Sequence, residues 1–184
     1  MELSDGRLTL RPPENNDVEW VVRACRDPEN QRWLPLLPAP YERGDAEWWI
    51  DRCKRVWVDQ TAAPFIVVDA ATGERLGTIE LRTTEQADVG YWLAPEGRGR
   101  GAMTDALRLL TRYAFDDRGL PRVELFTLVD NTRSQAVARR AGFRLAGVVP
   151  GKIESRDGAH HDALRFVLDA PQESGGGRDR LERS

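Results

Sequence analysis

The segment with the clearest chemical potential is a glycine-rich turn between a predicted strand and a predicted helix, in residues 89–107 (VGYWLAPEGRGRGAMTDAL). Gly99 and Gly101 carry no Cβ, so the backbone there can come close to a bulky anion. The first N–H groups of the helix have no intrahelical partners, and with the helix dipole they favour a phosphate group. Arg98 and Arg100 would add positive charge beside the turn. The spacing therefore predicts a phosphate-binding turn.

Two common phosphate motifs do not fit this turn. A Walker loop requires Gly-Lys followed by Ser or Thr, and the turn contains no lysine. A dinucleotide-binding fingerprint reads G-x-G-x-x-G, whereas Gly97, Gly99 and Gly101 give G-x-G-x-G and position 102 is Ala. A glycine-rich turn is often only a connection between a strand and a helix, so its role depends on the motifs around it.

Those surrounding motifs resemble the GNAT superfamily of acyl-CoA-dependent N-acyltransferases. Residues 96–101 (EGRGRG) occupy its Q/R-x-x-G-x-G/A frame, with Glu96 where Gln or Arg is usual. Further motifs resemble the RimJ/RimL branch, which acetylates protein N-termini: RWLP (32–35), GYWL (90–93), Asn131-x-x-Ser134 and Ala141-Gly142-Phe143. The resemblance extends over roughly residues 6–169 in the same order and spacing. It implies an acyltransferase with acetyl-CoA as co-substrate and no metal.

The resemblance also implies which residues hold the coenzyme. In that family the turn binds the pyrophosphate of coenzyme A through its backbone, and the pantetheine arm enters a gap between two splayed parallel strands. The implied cofactor-binding residues are Trp92, Leu93, Arg98, Gly99, Arg100, Gly101, Ala102, Met103, Thr104, Asn131 and Ser134. Simple helix initiation is the alternative role for residues 102–104, and Asn131 is also a good N-cap for the helix that follows.

Candidate catalytic residues follow from the same resemblance and from the needs of amine acylation. Ser134 corresponds to a serine that is proposed in that branch to protonate the departing thiolate; the alternative is an ordinary first-turn hydroxyl. Acylation also needs a neutral amine, so a proton must leave the ammonium directly or through water. Asp88 and Glu80, on strands that flank the expected cleft, are the candidate bases, and Glu124 is a third. For each of them a solvated edge charge is the simpler alternative.

The acceptor side is expected in the first helical region and in the apolar, proline-rich loop predicted over residues 27–43. Trp33, Leu34 and Trp49 are the predicted substrate-binding residues; the alternative is that these aromatic residues only cover the sheet, with Trp48 or Trp49 in the core. The implied function is an acetyl-CoA-dependent N-acetyltransferase that acts by direct transfer to an amine, either a protein N-terminus or a small molecule. The alternative function is a non-catalytic acyl-CoA-binding sensor.

The elements that must position these residues follow from hydrophobic patterning. The predicted strands are 7–11, 64–69, 75–82, 88–94, 122–129, 143–152 and 161–169. The predicted helices are 16–26 (with a capping box of Asn16 and Glu19), 45–59, 101–117 and 132–141. This order indicates an α/β (α+β) mixed sheet with helices on both faces. The GNAT resemblance makes it a mostly antiparallel seven-stranded sheet with a splayed pair of parallel central strands.

Length and composition set the outer limits. The chain has 184 residues, enough for one core, so we expect a single domain over 1–169 and a flexible, glycine- and charge-rich tail over 170–184. The formal net charge of −3 indicates neither direct nucleic-acid binding nor membrane binding. Without an apolar run of about 18 residues or a signal-peptide pattern, a cytoplasmic location is expected. Cys25 and Cys53 make no disulfide framework or metal cluster, and a homodimer is left open.

Overall fold

The computed structural model describes residues 1–84 and 86–172, which form one sheet with helices on both faces. The eight strands lie in the order β1-β2-β3-β4-β5-β6-β8-β7. Their bounds are β1 Leu3–Ser4, β2 Leu8–Arg11, β3 Ala62–Asp69, β4 Arg75–Arg82, β5 Asp88–Leu93, β6 Arg122–Leu128, β7 Arg144–Glu154 and β8 His160–Asp169. The strand pairs are antiparallel except for the central pair of β5 and β6, which is parallel.

Five α-helices accompany the sheet in the described residues: α1 Val18–Cys25, α2 Pro28–Trp33, α3 Arg43–Val58, α4 Ala102–Arg112 and α5 Thr132–Arg140. Short 3₁₀ turns at Asn15–Asp17 and Pro95–Gly97 precede α1 and α4, and a π-helical turn at Tyr113–Asp117 follows α4. Most of the tail predicted over 170–184 lies outside the described residues, so the tail and the domain boundary at 169 stay predictions.

The core lies on both faces of the sheet, as β3 illustrates. Phe65 and Val67 belong to one buried cluster with α4, whereas Ile66 belongs to another with α1 and α3. Side chains alternate along a strand, so this continuous apolar run is what a strand covered on both faces requires. The buried stripe of α4 repeats at helical spacing and consists of Met103, Ala106, Leu107 and Leu110. Burial of each of the larger side chains contributes about 2 kcal/mol.

The mixed, mostly antiparallel sheet and its parallel central pair confirm the predicted fold class. The sheet has eight strands where seven were expected, because Leu3–Ser4 pairs with β2 as a two-residue edge strand. This addition leaves the central strands unchanged.

Two local predictions in the first helical region are wrong. The capping box is formed by Glu14 and Asp17 rather than by Asn16 and Glu19, because Asp17 accepts a hydrogen bond from the Glu14 N–H at 2.8 Å. The region 27–43, expected to be a loop, contains α2. Asp27 caps this helix through the Asn30 N–H at 3.2 Å, and Pro28 stands at its first position, where a proline loses no hydrogen bond.

Asp17 also joins three elements at the start of α1. Its carboxylate, 0% exposed, accepts hydrogen bonds from Arg11 of β2 at 2.7 and 2.8 Å and from Arg75 of β4 at 2.6 Å. Burial alone would raise the pKa of Asp17. The hydrogen bonds from Arg11, the Glu14 N–H and Arg75 outweigh burial, and the net effect lowers the pKa below its ordinary value of 3.8.

We predict that Asp17→Asn lowers the free energy of unfolding by about 3 kcal/mol at neutral pH, because two arginines lose a buried partner. The folded pKa is depressed, so the contribution is complete above pH 3.8 and is lost as the pH falls through the lower folded value. Urea denaturation at several pH values measures both effects. Asp51→Asn is the control, since its 3.0 Å pair with Lys54 is exposed and should contribute at most about 1 kcal/mol. Equal losses in the two variants would contradict the prediction.

Candidate active site

A cavity of about 780 Å³ lies between β5 and α5, bordered by the start of α4 and by α2. Its volume falls in the range of small-molecule sites, about 300–1,000 Å³. All the predicted cofactor-binding residues except Arg100 line it, and so do Trp33 and Leu34. Residues from four separate segments of the chain therefore meet at one site.

The cavity exists because β5 and β6 diverge. They pair only at Asp88 with Glu124 and at Val89 with Leu125. The Ala87 carbonyl points towards β6 and accepts a hydrogen bond from the Glu124 N–H at 2.7 Å. The Ala94 N–H points towards β4 and donates to the Leu76 carbonyl at 2.9 Å. Successive residues of a strand direct their backbone groups to opposite sides.

The strand alternation identifies which backbone groups border the gap. Odd-numbered residues of β5 face β6, so beyond Val89 the groups of Tyr91 and Leu93 lie on an open edge. The Leu93 carbonyl accepts from Asn30 Nδ2 at 3.1 Å and from Arg98 at 3.2 Å. Trp92 lines the cavity, but its backbone groups point towards β4. Within the described residues, the open donors and acceptors of this edge are thus the backbone groups of Tyr91 and the Leu93 N–H.

The glycine turn leads directly into α4. Gly99 has φ +74° and Gly101, the N-cap of α4, has φ +76°. Such angles strain residues that carry a Cβ. Within the described parts of the chain, the backbone N–H groups from Gly99 to Met103 have no hydrogen-bond acceptor. Gly97 has a different role, because a Cβ there would lie 2.3 Å from the Leu76 carbonyl oxygen. It permits close packing against β4.

The two arginines of the turn are already paired with carboxylates. Arg98 contacts Asp27 and, at 3.4 Å, Glu29, and so ties the turn to α2. Arg100 contacts Glu74 at 2.9 Å and Asp69 at 3.3 Å, and it does not line the cavity. The expected free positive charge beside the turn is therefore largely compensated.

The start of α5 brings Ser134 to the cavity. Asn131 Oδ1 accepts from the Ser134 N–H at 3.1 Å and caps the helix, as predicted from its residue type. Ser134 Oγ lies 2.9 Å from the hydroxyl of Tyr91, which also lines the cavity. Sequence reasoning missed Tyr91 as a site residue. It lies two residues after Val89 on the same strand face, and this alternation could have indicated that its side chain reaches α5.

The candidate bases do not line this cavity. Glu80 accepts two hydrogen bonds from Arg52, at 2.6 and 2.9 Å, and Asp88 accepts two from Arg82, at 2.7 and 2.9 Å. Glu124 is buried against Arg165. The structure does not bring any of the three to Ser134 across the cavity. Among the described residues, the carboxylate on the cavity wall is Glu29.

The aromatic residues of the acceptor side separate into two groups. Trp33 and Leu34 line the cavity. Trp49 does not line it; it is partly buried against the cluster of α1 and α3, while Trp48 is 63% exposed. This position agrees with the covering role that was the alternative for Trp49, and its substrate-binding role stays a prediction.

The described residues contain no group of three or more His, Cys, Asp or Glu side chains that could hold a metal ion. The helices described here include none long and apolar enough to cross a membrane.

A splayed parallel strand pair followed by a glycine turn at a helix N-terminus is the arrangement that the GNAT resemblance predicts. Residues 7–144 match the family described as the acetyltransferase (GNAT) domain, and the chain belongs to this family. This confirms the predicted family. It also confirms the N-acetyltransferase interpretation at the level of the family, and the sensor alternative is not favoured.

Relatives and solved structures agree with the family. YdaF of Bacillus subtilis (strain 168), named provisionally as a ribosomal N-acetyltransferase, is 37% identical over 100 residues, 52% of this chain and about half (54%) of YdaF. Spermidine N(1)-acetyltransferase of Escherichia coli (strain K12) is 24% identical over 88% of this chain and 85% of that protein. The structure of RimL, a ribosomal L7/L12 alpha-N-protein acetyltransferase in complex with coenzyme A, has a TM-score of 0.81 at 21% identity, covering 92% of this chain and 98% of that one.

We predict that Gly99→Ala lowers the affinity for acetyl-CoA at least about tenfold, since a Cβ would enter the space in front of the turn. Gly73→Ala is a matched control. Gly73 has φ +73°, and a Cβ at either glycine meets no atom within 4 Å, so the backbone strain is the same. Calorimetry should find weakened binding in Gly99→Ala alone, with similar melting temperatures for the two variants. Equal affinities would refute the assignment of the turn.

Proposed function

We propose that this chain transfers the acetyl group of acetyl-CoA directly to a primary amine, with a protein N-terminus as the acceptor. The observation that carries the proposal is the convergence of three features on one cavity: the free N–H groups from Gly99 to Met103, the open edge at Tyr91 and Leu93, and the Ser134 hydroxyl. A cytoplasmic location is part of the proposal, and a homodimer stays a prediction.

The pyrophosphate would be held mainly by backbone groups. The N–H donors of the turn and the dipole of α4 both favour an anion there. Arg98 and Arg100 are engaged by carboxylates, whereas the cavity-lining Arg140 has no carboxylate partner within the described residues. Arg140 therefore supplies the uncompensated cation of the wall.

The pantetheine arm would extend the sheet at the gap. Its amide groups match the free N–H and C=O of Tyr91, which face the space that β6 leaves. The Leu93 carbonyl is occupied by Asn30 and Arg98, which leaves the Leu93 N–H as a donor. We assign this N–H to the oxyanion that forms when the amine attacks the thioester carbonyl.

The reaction then needs one proton to move from nitrogen to sulfur. The amine nitrogen forms the new bond to the carbonyl carbon, the C–S bond breaks, and sulfur takes the electron pair. Ser134 is the proposed donor to that sulfur; a coenzyme thiolate, with a thiol pKa of about 8–9, is weakly basic and needs little assistance. The amine proton would leave through water in the cavity, because Arg52 and Arg82 hold Glu80 and Asp88 away from its wall.

The charge of the wall favours a peptide N-terminus over a polyamine. Arg98, Arg133 and Arg140 line the cavity with a single carboxylate, Glu29, which is itself paired with Arg98 and Arg133. A polyamine would bring several positive charges to this wall, whereas a peptide N-terminus brings one, so the electrostatic repulsion is smaller for the peptide.

Thiol release tests this function. Wild-type protein with acetyl-CoA is incubated with a peptide bearing a free N-terminus, with the same peptide blocked at its N-terminus, and with spermidine. We expect free thiol and N-terminally acetylated product, identified by mass spectrometry, from the free peptide only. Binding of acetyl-CoA without thiol release on any amine, including a panel of small amines, would support the sensor instead.

We predict that Ser134→Ala lowers kcat roughly 10- to 100-fold while the KM for acetyl-CoA changes little, because the contact to sulfur strengthens only as the C–S bond breaks. Steady-state kinetics on the accepted peptide measures both constants, and thermal melting controls for folding. A higher KM with normal kcat would instead make Ser134 a coenzyme contact. Unchanged constants would make Ser134 an ordinary first-turn hydroxyl.

A further inference from the structure

Tyr91 lines the cavity together with Ser134, and its backbone is fixed by the sheet. It pairs with Ile79 of β4 in regular register, while on its other side β6 has already diverged. This divergence lets the tyrosine side chain reach α5. Its hydroxyl lies 2.9 Å from Ser134 Oγ and 3.2 Å from the Ser134 carbonyl oxygen.

The backbone of Ser134, the other partner in this contact, is also held in place. Asn131 Oδ1 holds the Ser134 N–H at 3.1 Å, in the first turn of α5. The distance between the two hydroxyls is therefore set by a strand and by a capped helix rather than by flexible side chains.

Each hydroxyl has one proton, so the pair has two arrangements. If Tyr91 donates to Ser134 Oγ, the serine proton is directed elsewhere and is available to a group in the cavity. If Tyr91 donates to the Ser134 carbonyl, the serine can donate back to Tyr91 and its proton is withdrawn. Both arrangements use the 2.9 Å contact between the two hydroxyls, and the first is the one that leaves the Ser134 proton free for the cavity that Ser134 lines.

We propose that Tyr91 is a positioning residue, whose hydroxyl donates to Ser134 Oγ and so directs the serine proton towards the leaving sulfur. This inference rests on the proposed function of the site. As the C–S bond breaks, sulfur takes the electron pair and the Ser134 proton. The proton that the amine loses on acylation restores the serine through water. Tyr91 keeps its own proton throughout.

The surroundings of Tyr91 agree with a hydrogen-bond donor that keeps its proton. Burial raises the pKa of Tyr91 to about 12, although the hydrogen bond with Ser134 lowers it in part. The phenol is therefore protonated at any working pH. The neutral phenol is thus available as a hydrogen-bond donor to Ser134 Oγ throughout that range.

A double-mutant cycle tests the proposal. We expect Tyr91→Phe to lower kcat roughly 5- to 30-fold, with the KM for acetyl-CoA within about twofold of wild type, since only a donor to Ser134 is lost. In a Ser134→Ala background the same substitution should change kcat by less than about twofold, because the group that Tyr91 orients is already absent. A structural role would lower kcat by the same factor in both backgrounds.

Tyr113→Phe is the matched control. Tyr113 is buried, its hydroxyl accepts from Arg118 at 3.3 Å, and it does not line the cavity. Its loss should leave kcat unchanged at a similar melting temperature. Unchanged kcat in Tyr91→Phe, or equal factors in the two backgrounds, would overturn the inference while wild-type turnover stands. A wild-type protein that releases no thiol with any amine would overturn the proposed function, and this inference with it.

Discussion

The separation of β5 from β6 is the constraint on which the rest of the site depends. Two parallel strands that pair only at Asp88 and Val89 leave backbone groups without a strand across from them. Such groups must find other partners. The Leu93 carbonyl accepts hydrogen bonds from Asn30 and Arg98, and the remaining backbone groups of that strand edge border the cavity. The same gap lets Tyr91 reach α5.

The charges around the cavity hold its walls together. Glu29 of α2 contacts Arg98 of the turn and Arg133 of α5, and Asp27 also binds Arg98. These pairs link three elements that are far apart in the sequence. These pairs also compensate the charges of the arginines. The attraction for an anion therefore passes to the backbone N–H groups at the start of α4, which have no backbone acceptor within the described residues.

Ion pairing also explains why the cavity wall near Ser134 carries few free ionisable groups. Glu80, Asp88 and Glu124 are each held by an arginine off the cavity, so the groups left at the centre are hydroxyls and backbone amides. Hydroxyls keep one protonation state over the range in which enzymes work, and their orientation becomes the variable that matters. The contact of Tyr91 with Ser134 fixes that orientation.

The sequence by itself determined the features that depend on neighbouring residues. The close backbone approach that Gly99 and Gly101 permit, the free N–H groups at a helix start and the Asn131 cap are short-range properties, so residue type and spacing predict them. Alternation and helical spacing likewise predicted the order of the main strands and helices along the chain. The tertiary structure decided which side chains pair. Asp17 pairs with Arg11 and Arg75, and Arg98 pairs with the N-terminus of α2. Glu80 pairs with Arg52 of α3, which is 28 positions away in the sequence. Burial makes an unpaired charge costly, so each charge takes whichever partner the packing brings near, and no local pattern encodes that choice.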